Sequence, residues 1–365
     1  MVTIQVSNLI DFVAEVFSRS ESSAEEARRI ATYLTTANLT GHDSHGVIRV
    51  PLYVSWKKTG RVVPDQTVEI VVDTPSLAVV DGKFGYGQTV TPQAVRIGIE
   101  KCKKAGLAAI ALRNAGHIGR VGDWAEMAAA EGMVSVHFVN AAGSLLVAPY
   151  GGVEKRLSTA PYCVGIPRMG QDPIVLDFAT SVVAEGKVLV ASRGGKKLPE
   201  GALVDADGTL NEDPAVLYGP HSAEGPRDHT KGTGAIRAFG EHKGSGLAFI
   251  CELLGGALTG TGATSADRQF ANGMLAIYVD PKVIDTSNFF DGEISRYVDF
   301  IRDTKPISGV DAVLIPGDPE KKMRADRTSN GVPLPDDTWA AIVNTAREVG
   351  VSEVSIQRAV SQAVQ

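Results

Sequence analysis

The hydrophobic pattern of this chain changes its period near residue 68. Before that point, apolar residues recur at helical spacing over residues 9–39. Ser22, with Glu25 three positions later, is typical of a capping box that opens the second helix of this stretch. After residue 68, short β-rich runs at 68–72 and 76–80 are bounded by Asp, Gly and Pro. The change of period predicts a helical N-terminal part followed by a domain that contains a sheet.

Strands and helices alternate in the middle of the chain. Residues 107–112, 133–139 and 174–178 have the pattern of strands, and residues 121–131 have the pattern of a helix. Such alternation is typical of an α/β or α+β domain. The segment 244–258 is apolar on nearly every side, which predicts a buried helix.

Residues 336–364 return to helical spacing, and we expect them to pack on the N-terminal helices. The sequence therefore predicts three parts. They are a helical part at 1–75, a central α/β domain at 76–310, and a C-terminal helical part at 311–365 that packs with the first.

Composition and charge narrow the class of protein. The formal net charge is −6 at pH 7, which argues against a nucleic acid or an anionic membrane as partner, because both bind basic surfaces. Cys102, Cys163 and Cys251 lie far apart, so the sequence indicates neither a disulfide framework nor a thiolate zinc site. No apolar run reaches the roughly 20 residues of a membrane span, and the N-terminus lacks a signal-peptide pattern. We expect a cytoplasmic protein.

Four side chains that exchange protons or form hydrogen bonds stand together at residues 42–45. Three interpretations are open. A metal site would use His42 and His45, but a catalytic zinc site needs about three protein ligands and no second His or Cys cluster is evident. An acid–base site would combine the Ser44 hydroxyl with the His45 imidazole, whose ordinary pKa of about 6.5 suits proton transfer near neutral pH. The third interpretation is a helix end without chemical function.

Two basic side chains are further candidates. Arg49 lies four residues after His45 and would share a helical face with it if the helix resumes. Its guanidinium group is suited to bind a substrate carboxylate through two hydrogen bonds. Lys187 follows a predicted strand end, where a buried lysine can act as an acid, a base or an oxyanion partner. A lysine at the surface is the commoner case.

Two glycine-containing segments stand at predicted helix starts. Residues 114–122 follow a strand and open a helix, an arrangement in which backbone N–H groups can bind phosphate. Residues 241–246 precede the apolar helix, where close helix packing that needs glycine is a slightly better explanation than anion binding. Neither segment has the Gly-x-Gly-x-x-Gly pattern of the Rossmann fold. A nucleotide would therefore bind in a different way.

Several motifs together resemble the malate/L-lactate dehydrogenase-like family, the type-2 group without a Rossmann fold. The resemblance extends from about residue 5 to about residue 350, and within the family it is strongest to the hydroxycarboxylate dehydrogenase B type. The motifs lie at residues 39–46, 114–122, 149–152, 158–161, 176–181, 242–244 and 314–317.

The resemblance implies an α/β (α+β) fold with a central mixed sheet of non-Rossmann type and a helical domain made from both chain ends. It implies a homodimer, NAD or NADP as cofactor, no metal, and the interconversion of small 2-hydroxy acids and 2-oxo acids. His45 would be the proton donor and acceptor, with His117 as the rival group. Ser44 and Lys187 would belong to the catalytic relay, and Arg49 and Thr159 would contact the substrate.

The resemblance also implies a set of cofactor contacts in the central domain and the turn after it. These are His117, Ile118, Gly119, Arg120, Val121, Gly122, Asp177, Phe178, Ala179, Glu185, Gly186, His242, Lys243, Gly244, Gly317, Asp318 and Pro319. The chain departs from the family at two positions. Lys187 stands where the reductases of cyclic imines have an aspartate, and Asp318 stands where many relatives have a glutamate.

Alternatives remain at this stage. Within the oxidoreductases they are a reductase of cyclic imino acids (piperideine- or pyrroline-2-carboxylate) and a dehydrogenase of ureidoglycolate, sulfolactate or diketogulonate. Outside that class they are a non-catalytic ligand-binding protein and a metal hydrolase.

Overall fold

The computed structural model describes residues 1–192, 197–221 and 227–361. The end of the predicted C-terminal tail, residues 362–365, lies outside the described residues. The helices are α1 Val6–Arg19, α2 Ala24–Leu39, α3 Val50–Lys58, α4 Gly87–Ala105, α5 Gly122–Ala130, α6 Glu185–Ser192, α7 Ala215–Tyr218, α8 His242–Cys251, α9 Pro281–Ile284, α10 Phe289–Arg302, α11 Asp318–Asn330, α12 Asp336–Glu348 and α13 Glu353–Val360. The strands are β1 Val2–Ile4, β2 Glu69–Asp73, β3 Leu77–Asp81, β4 Leu107–Ala115, β5 Val134–Ala142, β6 Val147–Ala148, β7 Tyr162–Ile166, β8 Ile174–Phe178, β9 Leu203–Val204, β10 Leu210–Asn211, β11 Ala235–Arg237, β12 Ala271–Val279 and β13 Val332–Leu334.

A seven-stranded mixed sheet forms the centre of the protein. Its strand order is β2-β3-β4-β12-β5-β7-β8, and only β3 and β4 pair in parallel. Helices α4 and α5 pack on this sheet through a buried cluster that includes Val95, Leu112, Trp124 and Tyr278. The predicted α/β fold with a central mixed sheet is confirmed. The strands read from the sequence at 107–112, 133–139 and 174–178 are all members of this sheet.

The two ends of the chain share one hydrophobic core. Strand β1 pairs with β13, and residues of α1, α2, α3, α12 and α13 form one buried cluster. Phe12 and Trp339 meet within it, with ring centroids 5.2 Å apart. Since burying one such side chain contributes about 1.5–3 kcal/mol, the apolar faces predicted at both ends stabilise each other. The C-terminal helices thus pack on the N-terminal ones.

Three local expectations are corrected. The second helix is capped by Ser23 rather than Ser22, because it is the Ser23 hydroxyl that accepts the Glu26 N–H at 3.2 Å. The apolar helix at 244–258 is not fully buried, because Phe249 and Ile250 of α8 are exposed. The boundary expected near residue 75 falls in the turn between β2 and β3, which pair with each other. We propose that the helical part ends before Glu69.

A smaller sheet completes the fold, with the order β10-β9-β11-β6. In the described parts of the chain, no helix has the length and apolar character needed to cross a membrane.

Candidate active site

Two short 3-10 turns carry the His45 segment between α2 and α3. They span Asp43–His45 and Val47–Arg49. The Asp43 carboxylate accepts hydrogen bonds from both terminal nitrogens of Arg327, at 2.6 and 3.0 Å, and from Asn38 Nδ2 at 2.6 Å. A bidentate pair between a guanidinium and a carboxylate is stronger than a neutral hydrogen bond. Helix α11 and the end of α2 therefore hold the segment from two sides.

A chain of hydrogen bonds leads from His45 into the interior. His45 Nδ1 lies 3.3 Å from His117 Nε2, and the two rings stack with centroids 5.2 Å apart. His117 Nδ1 lies 2.5 Å from the Tyr53 hydroxyl, which accepts a hydrogen bond from Gln88 Nε2 at 3.1 Å. The four side chains come from the His45 segment, the loop after β4, α3 and α4. Two histidines that the sequence analysis considered as rivals are thus neighbours in one network.

The contacts along the hydrogen-bond chain are compatible with one arrangement of imidazole protons. Because Gln88 donates to the Tyr53 oxygen, the Tyr53 hydroxyl can donate along its short contact to His117 Nδ1. A neutral imidazole has one donor and one acceptor nitrogen, so in this arrangement His117 donates from Nε2 to His45 Nδ1. His45 then carries its proton on Nε2, which has no hydrogen-bond partner among the described residues. Both nitrogens of His117 have hydrogen-bond partners, whereas Nε2 of His45 has none among the described residues.

Both imidazoles are uncharged near neutral pH. Burial, and then the positive charge of Arg49, lower the pKa of His45 from 6.5 to about 3. The same two causes hold the pKa of His117 well below its ordinary value. Burial raises the pKa of Tyr53, so its hydroxyl keeps its proton. The chain is therefore a neutral series of donors and acceptors in the free protein.

Arg49 lies beside the start of α6. Its Nε donates to the Ser44 carbonyl oxygen at 2.6 Å, and its Nη2 lies 4.0 Å from Glu185 Oε2. The other Glu185 oxygen accepts a hydrogen bond from the Tyr218 hydroxyl at 2.6 Å. The side chains of Arg49 and Glu185 are each 21% exposed, so solvent reaches them. A guanidinium group in such a place is suited to bind the carboxylate of a small acid.

Ser44 packs against α6 and does not bond to His45. A Cβ atom at Gly186 would lie 2.5 Å from Ser44 Cβ, so this close approach requires glycine. His117, rather than Ser44, is the hydrogen-bond partner that the structure gives to His45. Gly46 separates the two 3-10 turns with an extended conformation, φ −85° and ψ −156°. His45 and Arg49 therefore do not share one continuous helical face, which corrects the expectation from their spacing.

The glycine-rich loop between β4 and α5 is anchored by side chains from the sheet. Ile118 N donates to Asn272 Oδ1 at 2.9 Å, and Gly122 N donates to Asp177 Oδ2 at 2.7 Å. A Cβ atom at Gly87, where α4 begins, would lie 2.2 Å from the His117 carbonyl oxygen. Glycine at that position thus allows α4 to support the loop directly.

Arg120 is a buried residue of this loop. Its Nη1 bonds to Asp123 at 2.9 Å and to Glu126 at 2.8 Å. Burial alone would lower the pKa of Arg120, but the carboxylates of Asp123 and Glu126 outweigh it and raise the pKa. Burial raises the pKa of Asp123 to about 6, although Arg120 opposes the shift. The Nε of Arg120 is buried and has no hydrogen-bond partner in the described part of the chain.

The residues after β8 connect the other predicted site segments. The backbone N–H and the hydroxyl of Thr180 donate to the Thr159 carbonyl oxygen at 3.0 and 3.1 Å. The ring of Phe178 packs against Phe239 at 5.3 Å, three residues before His242. Segments that are far apart in the sequence therefore meet at this edge of the sheet.

Several predicted residues stand apart from the histidine chain. Lys187 is exposed on α6, so the interpretation as a buried lysine is wrong. His242 and Lys243 are exposed at the start of α8, whereas Gly244 is buried. Thr159 lies near Thr180, and no hydrogen bond joins its side chain to His45 in the described residues.

The turn before α11 is a separate feature. Gly317 has a φ of 96° and precedes Asp318 and Pro319, which open the helix. The Asp318 carboxylate accepts hydrogen bonds from Arg302 Nη2 at 2.7 Å and from Ile315 N at 3.0 Å. Both carboxylate oxygens of Asp318 are therefore engaged within the protein.

His42 and His45 have different hydrogen-bond partners. His42 Nε2 lies 3.2 Å from Glu320 Oε1, whereas His45 faces His117. The described residues contain no group of three His, Cys, Asp or Glu side chains that could hold a metal ion.

Sequence reasoning missed three side chains that the structure adds to the site. They are Tyr53 and Gln88 in the histidine chain, and Tyr218 beside Glu185. Tyr53 lies four residues after Arg49, a spacing that could have drawn attention to it. Gln88 and Tyr218 have no such signal, because only tertiary packing brings them to the site.

Comparison with known proteins assigns the family. The family described as malate/L-lactate dehydrogenase matches residues 4–343, and this chain belongs to it. Hydroxycarboxylate dehydrogenase B of Escherichia coli strain K12 is 37% identical, over 96% of this chain and 95% of that protein. L-lactate dehydrogenase of Cupriavidus necator is 31% identical over 96% of this chain and 98% of that protein. The solved structure of sulfolactate dehydrogenase from Methanocaldococcus jannaschii has a TM-score of 0.83 and 30% identity, and covers 99% of this chain and 100% of that one.

Proposed function

We propose that this protein is a nicotinamide-dependent oxidoreductase that interconverts a small 2-hydroxy acid and the corresponding 2-oxo acid. The observation that carries the proposal is the His45 imidazole at the end of a buried hydrogen-bond chain, with Arg49 nearby and with no hydrogen-bond partner for Nε2 among the described residues. The relatives reported above are named as dehydrogenases of hydroxycarboxylates, lactate and sulfolactate, which supports this substrate class.

Arg49 binds the substrate carboxylate in this proposal. Its Nη groups are not saturated by Glu185, which lies 4.0 Å away. A bound carboxylate also neutralises the positive charge that helps to keep His45 uncharged. Substrate binding therefore raises the pKa of His45 and allows the imidazolium to form. Orientation of the substrate and activation of the acid follow from the same contact.

His45 transfers the proton. In the reductive direction the imidazolium donates from Nε2 to the carbonyl oxygen, and the neutral ring that remains carries its proton on Nδ1. The hydrogen-bond chain accommodates this second tautomer. The Tyr53 hydroxyl can donate to the His117 carbonyl oxygen at 3.3 Å, and its oxygen can then accept a hydrogen bond from His117 Nδ1. In the oxidative direction the unprotonated Nε2 takes the hydroxyl proton. His117 and Tyr53 position His45 in both directions.

The chain's residues fit a dinucleotide cofactor. The buried Nε of Arg120, a residue of the glycine-rich loop, lacks a partner among the described residues. Residues 117–122, 177–179, 185–186, 242–244 and 317–319 would hold the cofactor. When bound, a nicotinamide supplies hydride to C2 of the oxo acid or accepts it from the hydroxy acid.

We further propose a cytoplasmic homodimer. The three cysteines are free and buried, which supports a reducing compartment. Phe249, Ile250, Leu253 and Leu258 are exposed on and after α8, and a second copy of the chain would cover such an apolar face.

The test is a spectrophotometric panel. Purified protein is mixed with NADH or NADPH and with a series of 2-oxo acids and cyclic imino acids, and loss of reduced nicotinamide absorbance is followed. The proposal predicts turnover with at least one 2-oxo acid and no sensitivity to a chelator. Turnover of cyclic imino acids alone, or activity lost on chelation, would contradict it.

A further inference from the structure

A cavity of about 470 Å³ lies beside the start of α11. Its lining includes three cationic side chains, Arg168, Arg302 and Lys321, and two carboxylates, Asp172 and Asp318. The volume falls within the range of roughly 300–1,000 Å³ that is typical of small-molecule sites. The lining does not include His45 or His117, so this cavity is separate from the histidine chain.

Two of the three cations are already paired. Arg302 Nη2 lies 2.7 Å from Asp318, and Lys321 Nζ lies 2.6 Å from Asp172. The side chain of Arg168 forms no hydrogen bond or ion pair within the described chain, and its Nε is buried. A guanidinium group without a charged partner in the wall of a cavity favours an anionic ligand.

The backbone at the start of α11 also favours an anionic ligand in this cavity. Gly317 and the first residues of α11 place the N-terminus of a 13-residue helix at the cavity. The positive end of the helix dipole favours negative charge, although Asp318 N bonds to the Ile315 carbonyl oxygen and Pro319 has no N–H to offer. The unpaired guanidinium group and the helix end therefore point to the same kind of ligand.

Strand β8 and helix α11 connect the cavity with the proposed active site. Ile174, the first residue of β8, lines the cavity, and Asp177 of the same strand holds the backbone of Gly122. Three residues of a strand span about 10 Å. On the other side, Glu320 of α11 contacts His42. A ligand that extends along β8 would reach from the glycine-rich loop into the cavity.

We propose that this cavity binds the 2′-phosphate of NADPH through Arg168, and that the protein therefore prefers NADPH to NADH. This inference rests on the proposed function. A phosphate monoester carries about −1.5 to −2 charges near neutral pH and accepts two hydrogen bonds from a guanidinium group. The free ribose hydroxyl of NADH would leave Arg168 without a charged partner. Asp318 is held by Arg302 and Ile315 N, so it is not free to recognise that hydroxyl.

The kinetic test compares kcat/KM for NADPH and NADH in the wild type and in Arg168→Met. We expect the wild type to favour NADPH, and the variant to lose at least about tenfold with NADPH, the equivalent of one charged hydrogen bond, and little with NADH. Arg168→Lys should recover part of the loss, because it keeps the charge. Arg156→Met is the matched control, since Arg156 is exposed and pairs with Glu154. It removes the same charge and should alter neither value.

Three results would overturn the inference: a wild type that prefers NADH, an equal loss with both cofactors, or no change in Arg168→Met. Calorimetric titration with adenosine 2′,5′-bisphosphate and adenosine 5′-monophosphate separates this inference from the proposed reaction. Tighter binding of the bisphosphate that disappears in Arg168→Met supports the cavity assignment even if no 2-oxo acid is reduced. Equal binding of the two nucleotides contradicts it even if reduction is observed.

Discussion

Two buried histidines in this protein have the same lowered pKa and very different surroundings. His137 lies in the middle of the central sheet and is fully buried, and burial alone lowers its pKa to about 3. Its Nε2 contacts the Ser135 hydroxyl at 3.0 Å, and its Nδ1 has no partner among the described residues. His45 reaches the same pKa next to Arg49 and at the end of a hydrogen-bond chain.

The difference shows that burial and a lowered pKa do not define a catalytic imidazole. His137 has no charged group as a cause of its shift and is enclosed by the sheet, so a substrate cannot reach it. His45 has a free Nε2, a neighbouring guanidinium group that solvent reaches, and a second imidazole that supports either tautomer. Its connections, rather than its pKa, support a role in proton transfer.

The largest expected effect separates the two histidines by activity. We predict that His45→Ala lowers turnover of the 2-oxo acid by at least about a hundredfold, because general acid–base catalysis is typically worth that much. His137→Gln should leave turnover near the wild-type value, provided that the protein is folded at the assay pH. Circular dichroism on both variants provides the folding control. Similar turnover in the two variants would contradict the claim that His45, and not His137, takes part in proton transfer.

Replacement of Arg49 tests the charged neighbour. We expect Arg49→Met to raise KM for the 2-oxo acid about tenfold to a hundredfold, since hydrogen bonds to charged groups contribute about 1.5–3 kcal/mol. Arg49→Lys should have a smaller effect, because the charge remains while the planar pair of donors is lost. An unchanged KM in Arg49→Met would remove Arg49 from carboxylate binding.

We expect His137 to affect the unfolding free energy at acidic pH rather than the activity. Its pKa is lowered in the folded state, so the unfolded chain binds more protons and stability falls as the pH drops from about 6.5 towards 3. At pH 5, the difference between a pKa of 6.5 and one of about 3 amounts to about 2 kcal/mol. We predict that His137→Gln reduces, by about that amount, the loss of unfolding free energy between pH 8 and pH 5. Urea denaturation at the two pH values measures the loss, and identical losses in variant and wild type would contradict the assignment.

Tyr53 should produce the smallest of these effects. We expect Tyr53→Phe to lower turnover about fivefold to tenfold, because one neutral hydrogen bond in the chain is worth about 1 kcal/mol. The pH dependence of turnover should also change, since His117 loses the group that selects its tautomer. Tyr86→Phe is a suitable control, because Tyr86 is buried nearby but lies outside the chain. Equal effects of the two substitutions would indicate a role in packing only.

The sequence predicts the fold better than it predicts the site. Strand β8 has the bounds expected for it, and α5 differs by one residue at each end, because both are specified by local hydrophobic pattern. Strand β4 continues three residues beyond the expected end and carries the chain closer to the loop at His117. Local pattern did not show which face of α8 is exposed, because that depends on what packs against it.

The site depends on contacts between distant parts of the chain. His45 and His117 are 72 residues apart, so no spacing rule joins them. The sequence names each imidazole as a candidate, and the proposal that His45 is the proton donor rests on the hydrogen-bond partners of both rings. The Ser44 relay is implied by the family resemblance, and a buried Lys187 is one interpretation of its place after a strand end. The tertiary structure gives both side chains other surroundings.

The most direct test of proton transfer by His45 is the pH dependence of kcat/KM for 2-oxo acid reduction in His45→Ala and in His117→Ala. The structure predicts that the residual activity of His45→Ala no longer depends on pH in the range where the wild type does. His117→Ala should be slower than the wild type and keep a pH dependence. A profile that persists in His45→Ala and disappears in His117→Ala would show that His117 is the acid, contrary to this account.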